Sequence, residues 1–291
     1  MPHISTQDGC RLYYEEAGSG TPIVFVHEYA GDWRTWEPQM RHFARVHRCI
    51  TFSQRGYPPS DVPADPARYS QDIARDDVVA LLDTLKIRKA HIVGHSMGAA
   101  TALHVGIRYP ERCLSVTAAG CGYGSSPDAA VVEAMREASR ETAKMFEAED
   151  FAGAAAKYAD GATRQTHKHK DPRGFAEFAR MLAEHSPVGH ALTMRNVQAK
   201  RPTLWEMEAD LKRFSVPLLV LVGDEDDWCV DGSLFLKRTV PTAGLVVIPR
   251  SGHTITSEEP AAFNAALADL FANVEAGRWL AHKPHKIGNG E

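Results

Sequence analysis

Five consecutive residues, Gly94-His95-Ser96-Met97-Gly98, combine a hydroxyl that could act as a nucleophile with a glycine on either side. They follow the apolar run 90–93 and open a segment of helical composition. A serine on a tight strand-to-helix corner is held in strained backbone angles, and flanking glycines leave room for the corner to pack. Such a corner lifts the hydroxyl above the sheet at a helix N-terminus, where the helix dipole favours developing negative charge. A serine hydroxyl is still a weak nucleophile near neutral pH. It needs a base to take its proton and an acid to orient that base.

Two later stretches carry such groups. Asp224-Glu225-Asp226-Asp227 follows an apolar run that ends at Gly223, and Arg250-Ser251-Gly252-His253 follows the next such run. Of the 14 histidines, His253 alone has a Gly-His context at the right strand end, after the run 245–248. His95 stands beside Ser96, where its side chain should point away and serve the structure. His167 and His169 sit in the stretch 166–171, which is polar throughout and reads as a solvated loop rather than a metal site. No metal and no cofactor are expected.

The elements that must position these groups alternate. Residues 11–17 repeat at period two, as a half-exposed strand does. The runs 22–27, 49–52, 90–94, 113–118, 216–223 and 245–248 are nearly continuous in apolar and β-branched residues, the pattern of strands buried on both faces of a parallel sheet. Between them, residues 70–85 place Ile73, Val78, Leu81, Leu82 and Leu85 at helical spacing behind Ser70 as N-cap. Helices are also expected near 234–239 and over 261–275. This rhythm describes an α/β protein with a mostly parallel sheet, whose sites lie at the carboxyl ends of the strands. It breaks at residues 120–124. From there to residue 212 the sequence predicts helices and no strand, with Met135, Met145, Met181, Met194 and Met207 as adaptable side chains suited to a cavity wall. The organisation expected is a first core part over 1–124, a helical lid over 125–212, a second core part over 213–276 and a mobile tail over 277–291.

Composition removes several alternatives. The 291 residues carry 33 Lys plus Arg against 37 Asp plus Glu, a net charge of −4 that recommends no nucleic-acid partner. The five cysteines are odd in number and show no CxxC pair, which argues for reduced thiols. The N-terminal residues lack a signal-peptide pattern, and no stretch approaches a membrane span. A soluble, cytoplasmic protein with a small-molecule substrate and no membrane partner is expected. A homodimer is left open.

With these motifs in hand, the chain resembles the α/β-hydrolase superfamily over nearly its whole length, and within it the lid-bearing branch of serine hydrolases. The resemblance implies an eight-stranded, mostly parallel sheet with helices on both faces and a helical lid inserted. It also implies the chain order nucleophile, acid, histidine, with the acid three residues after the strand-ending glycine. That maps the acid to Asp226 and completes a triad of Ser96, Asp226 and His253. The segment Val26-His27-Glu28-Tyr29-Ala30-Gly31 is similar to the family's loop after the third strand, so the backbone N–H groups of Tyr29 and Met97 would form the oxyanion hole. His27 would organise that loop. Glu28 stands where relatives carry glycine; it either faces away or selects the substrate. The loop 53–60 resembles another family loop, with Arg55 expected in a structural salt bridge.

The nucleophile narrows the branch. Dehalogenases and epoxide hydrolases use an aspartate at this corner, and the latter need two lid tyrosines, whereas 125–212 holds only Tyr158. Carbon–carbon bond hydrolases of ring-cleavage products share Ser-Met-Gly, but usually carry Asn at the position of His95 and an aromatic residue at that of Thr254. An esterase or lactonase acting on a small, fairly apolar acyl substrate is therefore expected. The alternatives are carbon–carbon bond hydrolysis, or a ligand receptor or a cofactor-free oxygenase or perhydrolase on the same fold. Arg195 is a candidate anchor for a substrate carboxylate.

Overall fold

Residues 2–148 and 150–282 are described by a computed structural model of the chain. The strands are β1 (His3–Ser5), β2 (Arg11–Ala17), β3 (Pro22–Val26), β4 (Arg48–Phe52), β5 (Ala90–His95), β6 (Cys113–Ala119), β7 (Leu218–Gly223) and β8 (Ala243–Ile248). They form one sheet in the order β1-β2-β4-β3-β5-β6-β7-β8. Only the β1–β2 and β2–β4 pairings are antiparallel; every pairing from β4 to β8 is parallel. The short edge strand β1 leaves no periodic signal in the sequence.

The helices of the core are α1 (Glu37–Phe43), α2 (Gln71–Thr84) and α3 (Met97–Arg108) before the insertion. The insertion between β6 and β7 holds α4 (Ala129–Glu147), α5 (Phe151–Ala159), α6 (Gln165–Lys170), α7 (Pro172–Ala183), α8 (Pro187–Thr193) and α9 (Glu208–Lys212), with no strand among the described residues there. After it come α10 (Asp227–Thr239), α11 (Ile255–Glu258) and α12 (Pro260–Glu275). The side chains of β3 show why its sequence is apolar without a break. Val24 and Val26 pack with α2 and α3 on one face, while Ile23 and Phe25 pack with α1 and α12 on the other. A strand covered on both sides has no polar face to alternate with.

Local signals account for two boundaries. Ser70 caps α2, its Oγ accepting from the Ile73 N–H at 3.1 Å. Helix α10 begins seven residues earlier than its apolar pattern suggests. Against the expectation of a mobile tail, Trp279 ties the segment 277–282 to the edge of the sheet. Trp279 packs on Gly244 and donates its indole N–H to the Thr242 carbonyl at 2.8 Å. The rest of that tail, 283–291, lies outside the described residues. All five cysteines are buried, unpaired thiols. No helix among the described residues is long and apolar enough to cross a membrane.

Candidate active site

Ser96 stands between β5 and α3 with φ 53° and ψ −111°, a backbone conformation that costs a non-glycine residue of order 1–3 kcal/mol. The neighbouring glycines make the corner feasible. A Cβ on Gly94 would sit 2.1 Å from the Gly98 carbonyl oxygen, and one on Gly98 would sit 2.0 Å from that of Val26. No side chain of any size fits either place.

The loops after β7 and β8 bring two groups to this corner. Ser96 Oγ lies 2.9 Å from His253 Nε2, and His253 Nδ1 lies 2.7 Å from Asp226 Oδ2. An ionised carboxylate only accepts, so Asp226 places the imidazole proton on Nδ1 and leaves Nε2 to accept from the hydroxyl. Of the acids in this loop, Asp224, Glu225 and Asp227 are exposed, and Asp226 is buried. Burial alone would push the His253 pKa down, but the charge and hydrogen bond of Asp226 outweigh it and the net shift is upward. Burial would likewise raise Asp226, and His253 reverses it to a net lowering.

The backbone around His253 is pinned from both sides. Glu258 accepts from the N–H groups of Gly252 at 2.6 Å and Thr254 at 3.0 Å. The ring of His95 donates from Nε2 to the His253 carbonyl at 2.7 Å. His95 thus turns from the Ser96 hydroxyl and steadies the loop of the partner histidine. Glu258 is a site residue that the sequence motifs do not single out, and its five-residue spacing from His253 is the signal that could locate it.

On the opposite wall, His27 accepts from the Gln54 N–H at 2.9 Å and donates from Nδ1 to the Glu28 carbonyl at 2.7 Å, tying two loops together. Beside it, the backbone N–H groups of Tyr29 and Met97 have no acceptor among the described residues. Arg55 is bonded to Asp77 and Asp8, as a loop anchor.

Three expectations need correction. Glu28 does not face outward: it is 4 % exposed and paired in a bidentate manner with Arg164, whose Nη1 donates to Oε1 at 2.8 Å and whose Nη2 donates to Oε2. Burial would raise the Glu28 carboxyl, and Arg164 overrides this to bring it down to about 2. Arg195 does not reach the site. It donates to Glu147 at 2.7 Å on the outside of the insertion, while Met194 and Gln198 of the same turn face inward. The stretch 166–171 is not a solvated loop; it forms most of α6, and His167 is buried against Phe175 and Phe178. A short amphipathic turn with one apolar-facing imidazole is easily mistaken for a loop.

The walls enclose a cavity of about 310 Å³. Ser96, His253, Glu28 and Arg164 line it, together with the aromatic and sulfur side chains of Tyr29, Tyr123, Tyr158, Trp228, Met145 and Met194. Two of the five insertion methionines therefore reach it. Among the described residues, one set of metal-capable groups converges, Asp226, Cys229 and His253 within 4.8 Å. These groups are already hydrogen-bonded with protons in place. Cys229, its pKa raised by burial, donates to the Gly120 carbonyl at 3.3 Å.

Known proteins resemble this chain, several of them along most of its length. A 2-hydroxymuconate semialdehyde hydrolase of Pseudomonas sp. (strain CF600) is 29% identical over 274 residues, 92% of this chain and 93% of that protein. An epoxide hydrolase of Caballeronia sordidicola is 33% identical over 135 residues, which is 46% of this chain and 41% of that protein. Among solved structures, an esterase of Thermogutta terrifontis superposes with a TM-score of 0.81 at 25% identity, covering 94% of this chain and 98% of that one. The enol-lactonase of Burkholderia xenovorans LB400 does so at 0.80 and 21% identity over 93% and 100%, a likeness of fold. Residues 21–260 match the family model described as alpha/beta hydrolase fold, and the chain belongs to that family.

Proposed function

We propose that the protein is a serine hydrolase that cleaves a small, fairly apolar carboxylic ester or lactone through an acyl-enzyme. The observation that carries this reading is the unbroken line Ser96–His253–Asp226, with the acceptor nitrogen of His253 facing the hydroxyl. His253 Nε2 takes the Ser96 proton as Oγ attacks the substrate carbonyl carbon. The carbonyl oxygen becomes an oxyanion and accepts from the Tyr29 and Met97 N–H groups, donors worth roughly 3 kcal/mol each in such a site. The tetrahedral intermediate collapses, the C–O bond to the leaving group breaks, and the His253 imidazolium returns its proton to that oxygen. Water then attacks the acyl group with His253 again as base, freeing the acid and restoring the hydroxyl. Asp226 keeps its charge throughout and steadies the imidazolium. The aromatic and methionine walls of the cavity favour an apolar acyl part.

A second reading, hydrolysis of a carbon–carbon bond in a ring-cleavage product, draws on the full-length likeness to a protein of that name. Thr254 and His95, at positions where such enzymes resemble one another differently, favour the ester or lactone. The test is to label the protein with a fluorophosphonate and locate the adduct, then to compare short acyl esters, lactones and dienoate diketones side by side. An adduct on Ser96 and turnover of esters or lactones, abolished in Ser96→Ala, are expected. Turnover retained by Ser96→Ala overturns the proposal, and selective turnover of the diketones transfers it to the second reading.

A further inference from the structure

The loop that carries the Tyr29 N–H holds a carboxylate at Glu28, and the insertion delivers a guanidinium from the turn Ala162–Arg164 to meet it. Both side chains are almost fully buried, at 4 % and 1 % exposure. A buried ion pair is weak evidence for stability, because desolvating both charges offsets their attraction. The location suggests a different role. Both groups line the cavity with Ser96 and His253, and each acts on His253 in the opposite sense: Glu28 favours the imidazolium and Arg164 opposes it. The same opposition holds at His95.

We infer that Arg164 is a positioning residue acting through Glu28, cancelling the carboxylate beside the Tyr29 N–H so that the insertion, when seated, leaves the oxyanion hole and its base free of a competing negative charge. This rests on the serine-hydrolase reading above. An unpaired carboxylate at position 28 would repel the oxyanion and hold a proton on His253, weakening it as a base. Other groups facing the pair and the imidazole leave this balance intact. Asp226 and Cys229 occupy the Nδ1 side of the ring, and Cys229 keeps its proton. His95 donates to the His253 carbonyl, and Glu258 is engaged by the flanking N–H groups. Tyr158 and His167, beside Arg164, are both held neutral by burial. The guanidinium lies 5.0 Å from the centre of the Phe178 ring, which fixes it within the insertion. The signal was hidden in the sequence because the partners are 136 positions apart.

The test is the rate of fluorophosphonate labelling at Ser96 as a function of pH, in the wild type, Glu28→Gln, Arg164→Gln and the double variant. Wild-type labelling at another residue, or none, refutes the serine-hydrolase reading itself. With wild-type labelling at Ser96, the inference expects the acid limb to move up by about half a pH unit or more in Arg164→Gln and down in Glu28→Gln. Labelling at neutral pH should slow several-fold in Arg164→Gln, and the double variant should bring the limb back toward the wild type. A purely structural latch would slow both single variants without opposite shifts. Limbs that stay in place, or move in the same direction, overturn the inference. If Arg164→Gln fails to melt cooperatively, the downward shift in Glu28→Gln and its return in the double variant decide the matter alone.

Discussion

The sheet core and the helical insertion meet at one cavity but are held by different forces. In the core, apolar strands are covered on both faces, and large side chains such as Phe25, Phe263 and Phe271 are fully or almost fully buried. The insertion has a smaller cluster around Phe146, Phe178 and Leu182, which borrows Tyr29, Tyr57 and Met97 from the core. Near its end, Leu204, Met207 and Leu211 join the apolar core, and polar contacts tie the rest of it down. Asp32 binds His185 at 3.0 Å, Tyr29 donates its hydroxyl to the His190 carbonyl at 3.0 Å, and Lys170 pairs with Glu259. Apolar burial fixes the strand ends that hold Ser96, Asp226 and His253 in place, whereas directional polar contacts join apolar packing in setting where the insertion sits over them. The contrast assigns chemistry to the core and the fit of substrate to the boundary.

The sharpest way to break this division is Asp226→Asn, which keeps the shape of the sheet edge and removes the orienting charge. A fall of about 10⁴ in kcat is expected with cooperative unfolding retained; steady-state kinetics and a thermal melt check both halves. Next in size is Phe263→Ala in α12, which opens a hole in the core far from the cavity. It should cost about 3–5 kcal/mol in denaturant unfolding, with the KM of the surviving folded protein unchanged. A third measurement concerns pH. The net upward shift of His253 places the acid limb of kcat/KM above about 6.5, its ordinary value, because the neutral imidazole is the base and Asp226 holds its proton on. Activity therefore rises as pH climbs through that limb; a midpoint below 6.5 would contradict the geometry. The smallest effect is expected from Lys170→Ala, which severs a partly exposed tie between insertion and core. Its cost should stay within about 1 kcal/mol, with the melting temperature nearly unmoved.

The parts legible in the sequence are those whose physics is local. The corner at Ser96 is written in two glycines four residues apart, and the strands in apolar runs that must be buried on both sides. The acid and the histidine stand just past strand ends, so their approach to Ser96 follows once the sheet is parallel. What could not be read depends on contacts between distant segments. The sequence leaves Glu28 either facing away or selecting the substrate because nothing near it balances its charge, and its partner Arg164 lies in another domain-sized stretch of chain. Arg195 stands out in the sequence by residue type alone, and a surface carboxylate at Glu147 claims it. His167 shows the same limit, since a polar neighbourhood hid one imbedded face. Strand β1, three residues long, is too short for period two to register.

The insertion enters after β6 and leaves before β7, so it is a unit that recombination or grafting could exchange while the sheet stays whole. Such an exchange is not free at position 28. A donor segment without an arginine at the place of Arg164 would leave an anion stranded beside the reaction centre, so a working chimera must bring glycine or another uncharged residue at 28 along with it. Two sites far apart in the gene are thereby bound to be inherited as a pair.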